Sequence, residues 1–180
     1  MDKLVGDLSG TYVTLLCSLG DRLGLFKNLA ESGSCTSAEF AGRMGMDERY
    51  LREWLGALTA AGYLEYDPLS LRFALPPEHA LPLVKEGDLM FVAGLHQALL
   101  ADVKNLDRLA EAFKHGGGIP AEAYDQNEWD GLERFTSTWF ESLLIQPWIP
   151  AVPDVKRGLE RGISVADVSC GRGRGLIKLA

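Results

Sequence analysis

Apolar residues in the first third of the chain recur every three or four positions, which is the spacing of one face of an amphipathic helix. The pattern predicts a helix over 12–29, a short helix over 38–44, and a longer helix that begins after Asp47 and ends at Gly62. The helix breaks and caps that accompany this pattern are Gly20, Gly24, Thr36 or Ser37, and Gly45.

Two short runs of strand-forming residues follow, at 63–66 and 71–75. They flank the turn residues Asp67, Pro68 and Ser70, so the pattern predicts a β-hairpin. Helix, short helix, longer helix and hairpin, in this order, are typical of a winged helix. We therefore expect a winged-helix-like domain over 1–80.

The middle of the chain carries longer helical patterns. Apolar residues over 89–115 predict a long helix or a broken pair of helices, which the glycines at 116–118 end. A further helix is predicted over 127–145, with Asn127 as its cap. A domain boundary is expected between 146 and 154, where three prolines predict a stiff joint: Pro147, Pro150 and Pro153.

The last segment has the order of strand, glycine-rich turn and helix, which opens many cofactor-binding α/β domains. A short helix is predicted over 155–161, and β-branched residues at 163–168 then predict the strand. A phosphate-binding P-loop needs Lys and then Ser or Thr after its last glycine, but Leu176 follows here. A dinucleotide-binding loop needs a third glycine where Leu176 or Lys178 stands. Both phosphate-binding classes are therefore excluded by spacing.

Charge and cysteine content narrow the function classes. The net charge of −7 argues against non-specific attraction to nucleic acid or to an anionic membrane. The amino terminus has no basic region before an apolar core, so we predict no secretory signal. Three cysteines lie far apart without metal-ligand spacing, which predicts no metal site and a reduced, cytoplasmic environment: Cys17, Cys35 and Cys170.

An acidic residue at the predicted strand end is followed by alternating small residues: Asp167, Ser169, Gly171 and Gly173. This pattern resembles the first motif of class I S-adenosylmethionine-dependent methyltransferases, an acidic residue followed by GxGxG. The resemblance implies that the loop passes under the methionine and ribose portions of S-adenosylmethionine, and that Asp167 helps to hold the amino end. Ser169 stands where the motif has its first glycine, and a side chain there is strained if positive φ is required.

The front of the chain resembles the amino-terminal winged-helix region of bacterial small-molecule methyltransferases. The resemblance rests on LGLFKNLAESG at 23–33, CTSAEFAGRMG at 35–45 and DERYLREWLGALTAAGYLEYD at 47–67, with RFALPPEHA at 72–80 and RLAEAFKHGGGIP at 108–120. It implies a homodimer whose amino-terminal helices interlock and roof a small-molecule substrate pocket. A Rossmann-like domain carries the methyl donor in such enzymes.

The expected fold is mainly α. A winged-helix-like domain over 1–80 and a helical dimerisation and substrate-roof region over 81–150 precede the first strand, loop and helix of a Rossmann-like α/β domain over 151–180. We expect the chain to stop just after the first cofactor motif, and to lack useful methyltransferase activity alone. No catalytic base is assigned from the sequence.

Several other residues have two interpretations. His79, His96 and His115 are candidate general bases. His96 is also explained as a hydrogen-bonded interior or interface residue and His115 by a helix end, while His79 lies in a loop without a sign of function. Arg172 either pairs with a cofactor carboxylate or lies in solvent. Aromatic side chains either line a substrate pocket or pack in a core or dimer interface, and these are Trp129, Trp139, Trp148 and Phe140.

Two further functions remain open at this point. One is a non-catalytic dimerisation or regulatory protein, and the other is a winged-helix DNA-binding regulator. A DNA-reading helix should present Lys and Arg to phosphates. The candidate recognition helix has mixed charges instead: Asp47, Glu48, Arg49, Arg52 and Glu53. We therefore expect no nucleic-acid partner.

Overall fold

A computed structural model describes all residues from Met1 to Ala180, and the chain divides into two units, 1–85 and 86–180. The first unit contains α1 (Asp2–Arg22), α2 (Leu25–Ser32), α3 (Ser37–Met44), α4 (Glu48–Ala60), β1 (Glu65–Asp67), β2 (Arg72–Ala74) and α5 (Pro77–Val84). The second contains α6 (Ala93–Val103), α7 (Leu106–His115), a 3₁₀ turn (Ala121–Ala123), α8 (Gln126–Trp139), a π-helical segment (Phe140–Trp148), α9 (Ile149–Ala151), α10 (Pro153–Glu160) and α11 (Arg174–Leu179).

The first helix is longer than its buried stripe predicts. It begins at Asp2, ten residues before the predicted start. Residues 2–11 are helical but exposed, so no buried apolar stripe marks them in the sequence. An ion pair four residues apart, Lys3 Nζ to Asp7 Oδ2 at 2.9 Å, accompanies this exposed turn. The predicted break at Gly24 is confirmed, since Gly24 has φ +69° and separates α1 from α2.

The caps predicted for α3 and α4 are confirmed. Thr36 Oγ1 accepts a hydrogen bond from the Glu39 amide, and Glu39 accepts one from the Thr36 amide in return. Asp47 Oδ1 accepts a hydrogen bond from the Arg49 amide at 3.0 Å, which caps α4. Gly45 ends α3 with φ +63°, a conformation that favours glycine.

The hairpin and helices of the first unit surround one apolar core. β1 and β2 pair antiparallel with Tyr66 opposite Phe73, and Cys35 forms a single bridge to Phe73. Trp54 lies in the core with its indole N–H donating to the Leu16 carbonyl at 2.9 Å. This arrangement confirms the winged-helix prediction. The most deeply buried large side chains here are Leu25, Phe26, Leu29, Phe40, Leu55 and Leu58.

Two glycines let α6 and α8 cross with their backbones in contact. A Cβ placed on Gly131 would lie 2.5 Å from the Gly94 carbonyl oxygen, and one on Gly94 would lie 2.4 Å from the Gly131 oxygen. No real Cβ tolerates such a distance to backbone. The crossing is therefore closer than any residue other than glycine permits at these positions.

The structure corrects several helix boundaries in the second unit. The pattern at 89–115 forms a broken pair of helices, α6 and α7. Asp125 caps α8 by accepting from the Asn127 amide at 2.8 Å, so the cap is not Asn127. Pro147 lies inside the π-helical segment and Pro153 begins α10, and the stiff joint at these prolines stays a prediction.

The segment predicted as a strand at 163–168 has no hydrogen-bonded partner strand. Residues 163–167 have no regular secondary structure, and a turn follows them. A single strand has no ladder to satisfy its backbone groups, which explains the difference. The helix after the turn is present as α11. No helix of the chain is both long enough and apolar enough to cross a membrane.

The expected divisions at 80/81 and 150/151 stay predictions. The boundary between the two units lies at Lys85 and Glu86, close to the first of them. Residues 151–180 belong to the same unit as 86–150 in this structure.

Candidate functional site

A cleft of about 580 Å³ lies in the second unit between the glycine-rich turn, α8 and the start of the π-helical segment. It brings together residues far apart in sequence, since Trp129 and Phe140 line it together with Asp167 and Ser169. The rest of its lining comes from Gln126, Leu132, Glu133, Thr136, Cys170, Gly171, Arg172 and Arg174.

Three of the four predicted cofactor-binding residues line this cleft: Asp167, Ser169 and Gly171. Gly173 does not line it, and serves instead as the residue before α11, with φ +73°. Its amide donates to the Cys170 carbonyl at 2.8 Å, which closes the turn. The predicted residues thus form one tight bend that enters a short helix.

The bend requires left-handed backbone at alternating positions. Ser169 has φ +62°, Gly171 has φ +56° and Gly173 has φ +73°. The first value confirms the condition under which the sequence predicts strain at Ser169. A non-glycine residue in this region costs about 1–3 kcal/mol. The alternation of the motif therefore has a backbone cause that is independent of any ligand.

A third glycine of this segment, Gly175, lies close to both the acidic residue and an aromatic side chain of the cleft. Gly175 is buried in the first turn of α11, where a Cβ would lie 3.4 Å from Asp167 Oδ2 and 3.4 Å from Phe140 Cε1. A Cβ there would touch both at van der Waals distance, and a larger side chain would have to displace one of them. Gly175 thus lets the Asp167 carboxylate and the Phe140 ring approach the same helix start.

Both loop arginines are paired with acidic residues of α8. The Arg172 guanidinium contacts the Asp130 carboxylate, and Arg174 Nε donates to Glu133 Oε1 at 2.6 Å. Arg172 is exposed, as one of its two sequence interpretations expects, and it also pairs with an α8 side chain. Its pairing with a cofactor carboxylate stays a prediction. The α8 carboxylates were missed from sequence, although Asp130 and Glu133 stand three residues apart on one helix face.

A second set of contacts joins α11 to the π-helical segment. Lys178 Nζ donates to Glu141 Oε2 at 2.6 Å, and Arg174 lies 3.6 Å from Glu141 Oε1. The hydrogen bond from Lys178 lowers the pKa of the Glu141 carboxyl below its ordinary value. The glycine-rich turn and α11 are therefore attached at several points to one side of the helical region.

The four aromatic candidates separate into two groups. Trp129 and Phe140 line the cleft. Trp139 packs edge-on against Phe135, with ring centroids 4.7 Å apart, and Trp148 lies elsewhere with 43% of its surface exposed. The aromatic contribution to the cleft thus comes from two positions of the same helical run.

None of the three histidines lines the cleft. His79 Nδ1 lies 3.0 Å from the Tyr63 carbonyl oxygen, and His115 lies at the end of α7 near Glu111. His96 is half-buried within α6. Cys170 is exposed and lies in the turn, and no cluster of three or more His, Cys, Asp or Glu side chains is arranged to hold a metal ion.

Residues 11–85 match the model of the Rv2258c-like winged HTH domain. This stretch is a winged helix-turn-helix domain. The match covers the second half of α1, then α2, α3, α4, the hairpin and α5, in agreement with the fold described above. No curated protein matches the chain significantly.

Two solved structures share the fold over almost the whole chain. The structure of PigF with SAH aligns with a TM-score of 0.62 at 16% identity, covering 98% of this chain and 54% of PigF. The mitomycin 7-O-methyltransferase MmcR aligns with a TM-score of 0.59 at 18% identity, covering 99% of this chain and 54% of MmcR. The chain therefore spans about half the length of the structures it resembles.

Proposed function

We propose that this chain forms the winged-helix and helical part, with the first cofactor loop, of an S-adenosylmethionine-dependent methyltransferase that acts on a small molecule. The observation that carries the proposal is the bend at 167–173, which lines a cleft with Trp129 and Phe140. The fold shared with a methyltransferase and with a protein solved with SAH supports it.

The residues of the bend suit the methyl donor better than a phosphate. Two carboxylates and two cations line the cleft, Glu133 and Asp167 with Arg172 and Arg174, and both arginines are paired with acidic residues of α8. The pairing leaves no unpaired cation in the lining for a phosphate, whereas the Asp167 carboxylate attracts a ligand that carries a sulfonium and an ammonium group. We therefore propose that Asp167, Ser169, Gly171 and Gly173 contact S-adenosylmethionine.

The contribution of this chain to methyl transfer is positional. When bound, the cofactor supplies the methyl group, which passes to an acceptor atom by in-line displacement. Holding donor and acceptor close and aligned accounts for much of the acceleration in such a reaction. Trp129, Leu132 and Thr136 form the wall opposite the bend, where they exclude water and orient a small acceptor.

Calorimetry with S-adenosylhomocysteine tests the proposal. The 180-residue chain presents one cofactor segment, so we expect a Kd no tighter than about 1 mM. If the reading frame continues, its full product should bind far more tightly, and Asp167→Asn should weaken that binding. Asp154→Asn, which alters an exposed α10 carboxylate, is the matched control. Micromolar binding by the short chain contradicts a partial site, and absence of binding by the full product contradicts the proposal.

We also propose that the chain is a homodimer through its amino-terminal helix. α1 exposes an apolar row that the first unit leaves uncovered: Leu4, Val5, Leu8, Tyr12, Leu15 and Leu19. A contiguous apolar face of this kind marks an interaction site. Light scattering after gel filtration should give twice the chain mass, and Leu8→Glu should give the monomer. A monomeric wild-type chain at micromolar concentration would refute the dimer.

A non-catalytic winged-helix regulator is the second candidate, favoured by the match of 11–85 to a winged HTH domain. The exposed side of α4 argues against DNA binding, because Arg52 is paired with Glu48 at 3.2 Å and Glu53 is exposed beside it. We propose no nucleic-acid partner. Duplex DNA titrated at low salt should leave fluorescence anisotropy unchanged, and binding that weakens steeply with salt would favour the regulator.

A further inference from the structure

The glycine-rich turn has almost no apolar anchor. Every residue from Arg161 to Arg172 is exposed, and Val168 in the middle of the turn is 90% exposed. The first buried residue after this stretch is Gly175, which has no side chain to bury. Hydrophobic burial therefore does not hold the turn against the second unit.

Ion pairs take the place of an apolar anchor. Asp130, Glu133 and Glu141 lie along α8 and the π-helical segment, and each contacts a cation of the turn or of α11. Arg174 is shared, since it also lies 3.6 Å from Glu141. We name this set of six residues the ionic clasp: Asp130, Glu133, Glu141, Arg172, Arg174 and Lys178.

The clasp accounts for both arginines without an anionic ligand. A guanidinium that lines the cleft without an acidic partner would be open to a phosphate or carboxylate ligand. Here each loop arginine has an acidic partner on the opposite wall. The pairs are also partly exposed, with the Arg172 side chain at 55% and that of Asp130 at 37%. Pairs with this exposure are individually weak and are screened by salt.

We propose that the ionic clasp positions the glycine-rich turn against α8, so that the width of the cleft depends on ionic strength and on the α8 carboxylates. Arg172 and Arg174 are positioning residues, because they act by holding Ser169 and Gly171 opposite Trp129. The consequence for methyl transfer rests on the proposed function, whereas the clasp itself needs no bound cofactor.

A nitroxide attached to Cys170 reports on the turn directly. Cys170 is the exposed cysteine, while Cys17 and Cys35 have 0% exposed surface and do not compete for the reagent. The fraction of mobile label is read from the electron paramagnetic resonance spectrum. Raising NaCl from about 0.1 M to about 1 M shortens the Debye length from about 10 Å to about 3 Å. We expect the ratio of mobile to immobile label to rise by about two- to fivefold over this range.

Two substitutions separate the clasp from general destabilisation. Asp130→Asn should raise the mobile fraction at low salt, and the charge swap Asp130→Arg with Arg172→Asp should restore the wild-type spectrum. Asp154→Asn removes an exposed carboxylate that pairs with Arg157 in α10, and should leave the spectrum unchanged. Circular dichroism checks that each variant is folded.

The outcomes distinguish this inference from the proposed function. A spectrum that is insensitive to salt and to Asp130→Asn overturns the clasp, whatever the chain binds. A higher mobile fraction in Asp130→Asn that the charge swap does not reverse also overturns the clasp. The effect then does not come from the pair of Asp130 and Arg172. A salt-sensitive turn in a full product that binds no S-adenosylhomocysteine keeps the clasp and refutes the proposed function alone.

Discussion

The two units of this chain are stabilised in different ways. The first unit contains nearly all the large side chains that are fully buried, including Phe26, Phe40 and Leu55, whereas the second contributes Phe91 alone to that group. The second unit relies on a glycine-to-glycine helix crossing and on ion pairs. Apolar burial is non-directional and tolerates small changes of packing. The crossing is stricter, because a Cβ added at Gly131 would lie 2.5 Å from the Gly94 carbonyl oxygen.

The largest effect is expected from emptying the core of the first unit. Leu55→Ala removes a side chain with 0% exposure from the centre of α4 and should lower the free energy of unfolding by about 2–5 kcal/mol. Leu69→Ala, at a position 95% exposed in the hairpin turn, should change it by less than about 0.5 kcal/mol. Urea unfolding followed by circular dichroism measures both. Equal effects would mean that the core does not stabilise the first unit.

Addition of a single methyl group at the crossing of α6 and α8 should force these two helices apart. Gly131→Ala places a Cβ 2.5 Å from the Gly94 carbonyl oxygen, so α6 and α8 must separate, at a cost of about 1–3 kcal/mol. Gly56→Ala is the matched control, because α4 has open space there. It should stabilise the chain by about 0.5–1 kcal/mol. Opposite signs in the same urea experiment are the expected result, and two stabilising substitutions would refute the close crossing.

Alkaline pH should weaken the first unit through a buried thiol. Burial raises the pKa of Cys17 from 9.0 to about 11, against a smaller lowering by the hydrogen bond with Tyr63. As pH rises, the unfolded chain therefore loses the thiol proton at a lower pH than the folded chain does. The stabilisation is complete below pH 9 and is lost as pH rises towards 11.

Thermal unfolding between these pH values checks the prediction. The melting temperature of the wild type should fall more steeply than that of Cys17→Ala, which lacks the titrating group. The burial of Cys35 raises its pKa as well, so some alkaline loss should persist in the variant. Parallel curves for the two proteins would contradict the assignment to Cys17.

The smallest effect is expected at the strained serine of the turn. Ser169→Gly relieves a left-handed backbone at φ +62° but adds freedom to the unfolded chain, so a net stabilisation of about 0.5 kcal/mol is expected. Ser9→Gly, in the exposed helix α1, should destabilise by a similar amount. A destabilising Ser169→Gly would indicate that the hydroxyl makes a contact that outweighs the strain.

Local chemistry explains which parts of the fold could be predicted. The stripe of Leu51, Trp54, Leu55 and Leu58 and the caps at Thr36 and Asp47 act within a few residues, so the sequence indicates them directly. The first ten residues were missed because an exposed helix needs no buried stripe. The predicted helix stops at 145, three residues before the π-helical segment ends, because Pro147 is ordinarily a helix breaker.

The site, like the fold, could be predicted only where its residues are close together in sequence. Asp167, Ser169 and Gly171 stand at alternate positions of one short segment, so their spacing in the sequence indicates a shared bend. The carboxylates that hold the bend are about forty residues away, at separations of 42 for Asp130 and Arg172 and 41 for Glu133 and Arg174. Spacing carries no information about pairs at such a distance, because only the tertiary fold brings them together.

The glycine crossing also restricts how the cleft can change. At 3.6 residues per turn, Gly131 lies on the side of α8 opposite Trp129, Glu133 and Thr136. α8 therefore tolerates no added atom at Gly131, while side chains on its opposite side can be altered without disturbing the crossing with α6. Substitutions that reshape the cleft should therefore be tolerated at Trp129 and Thr136, with the rotation of the helix left as it is.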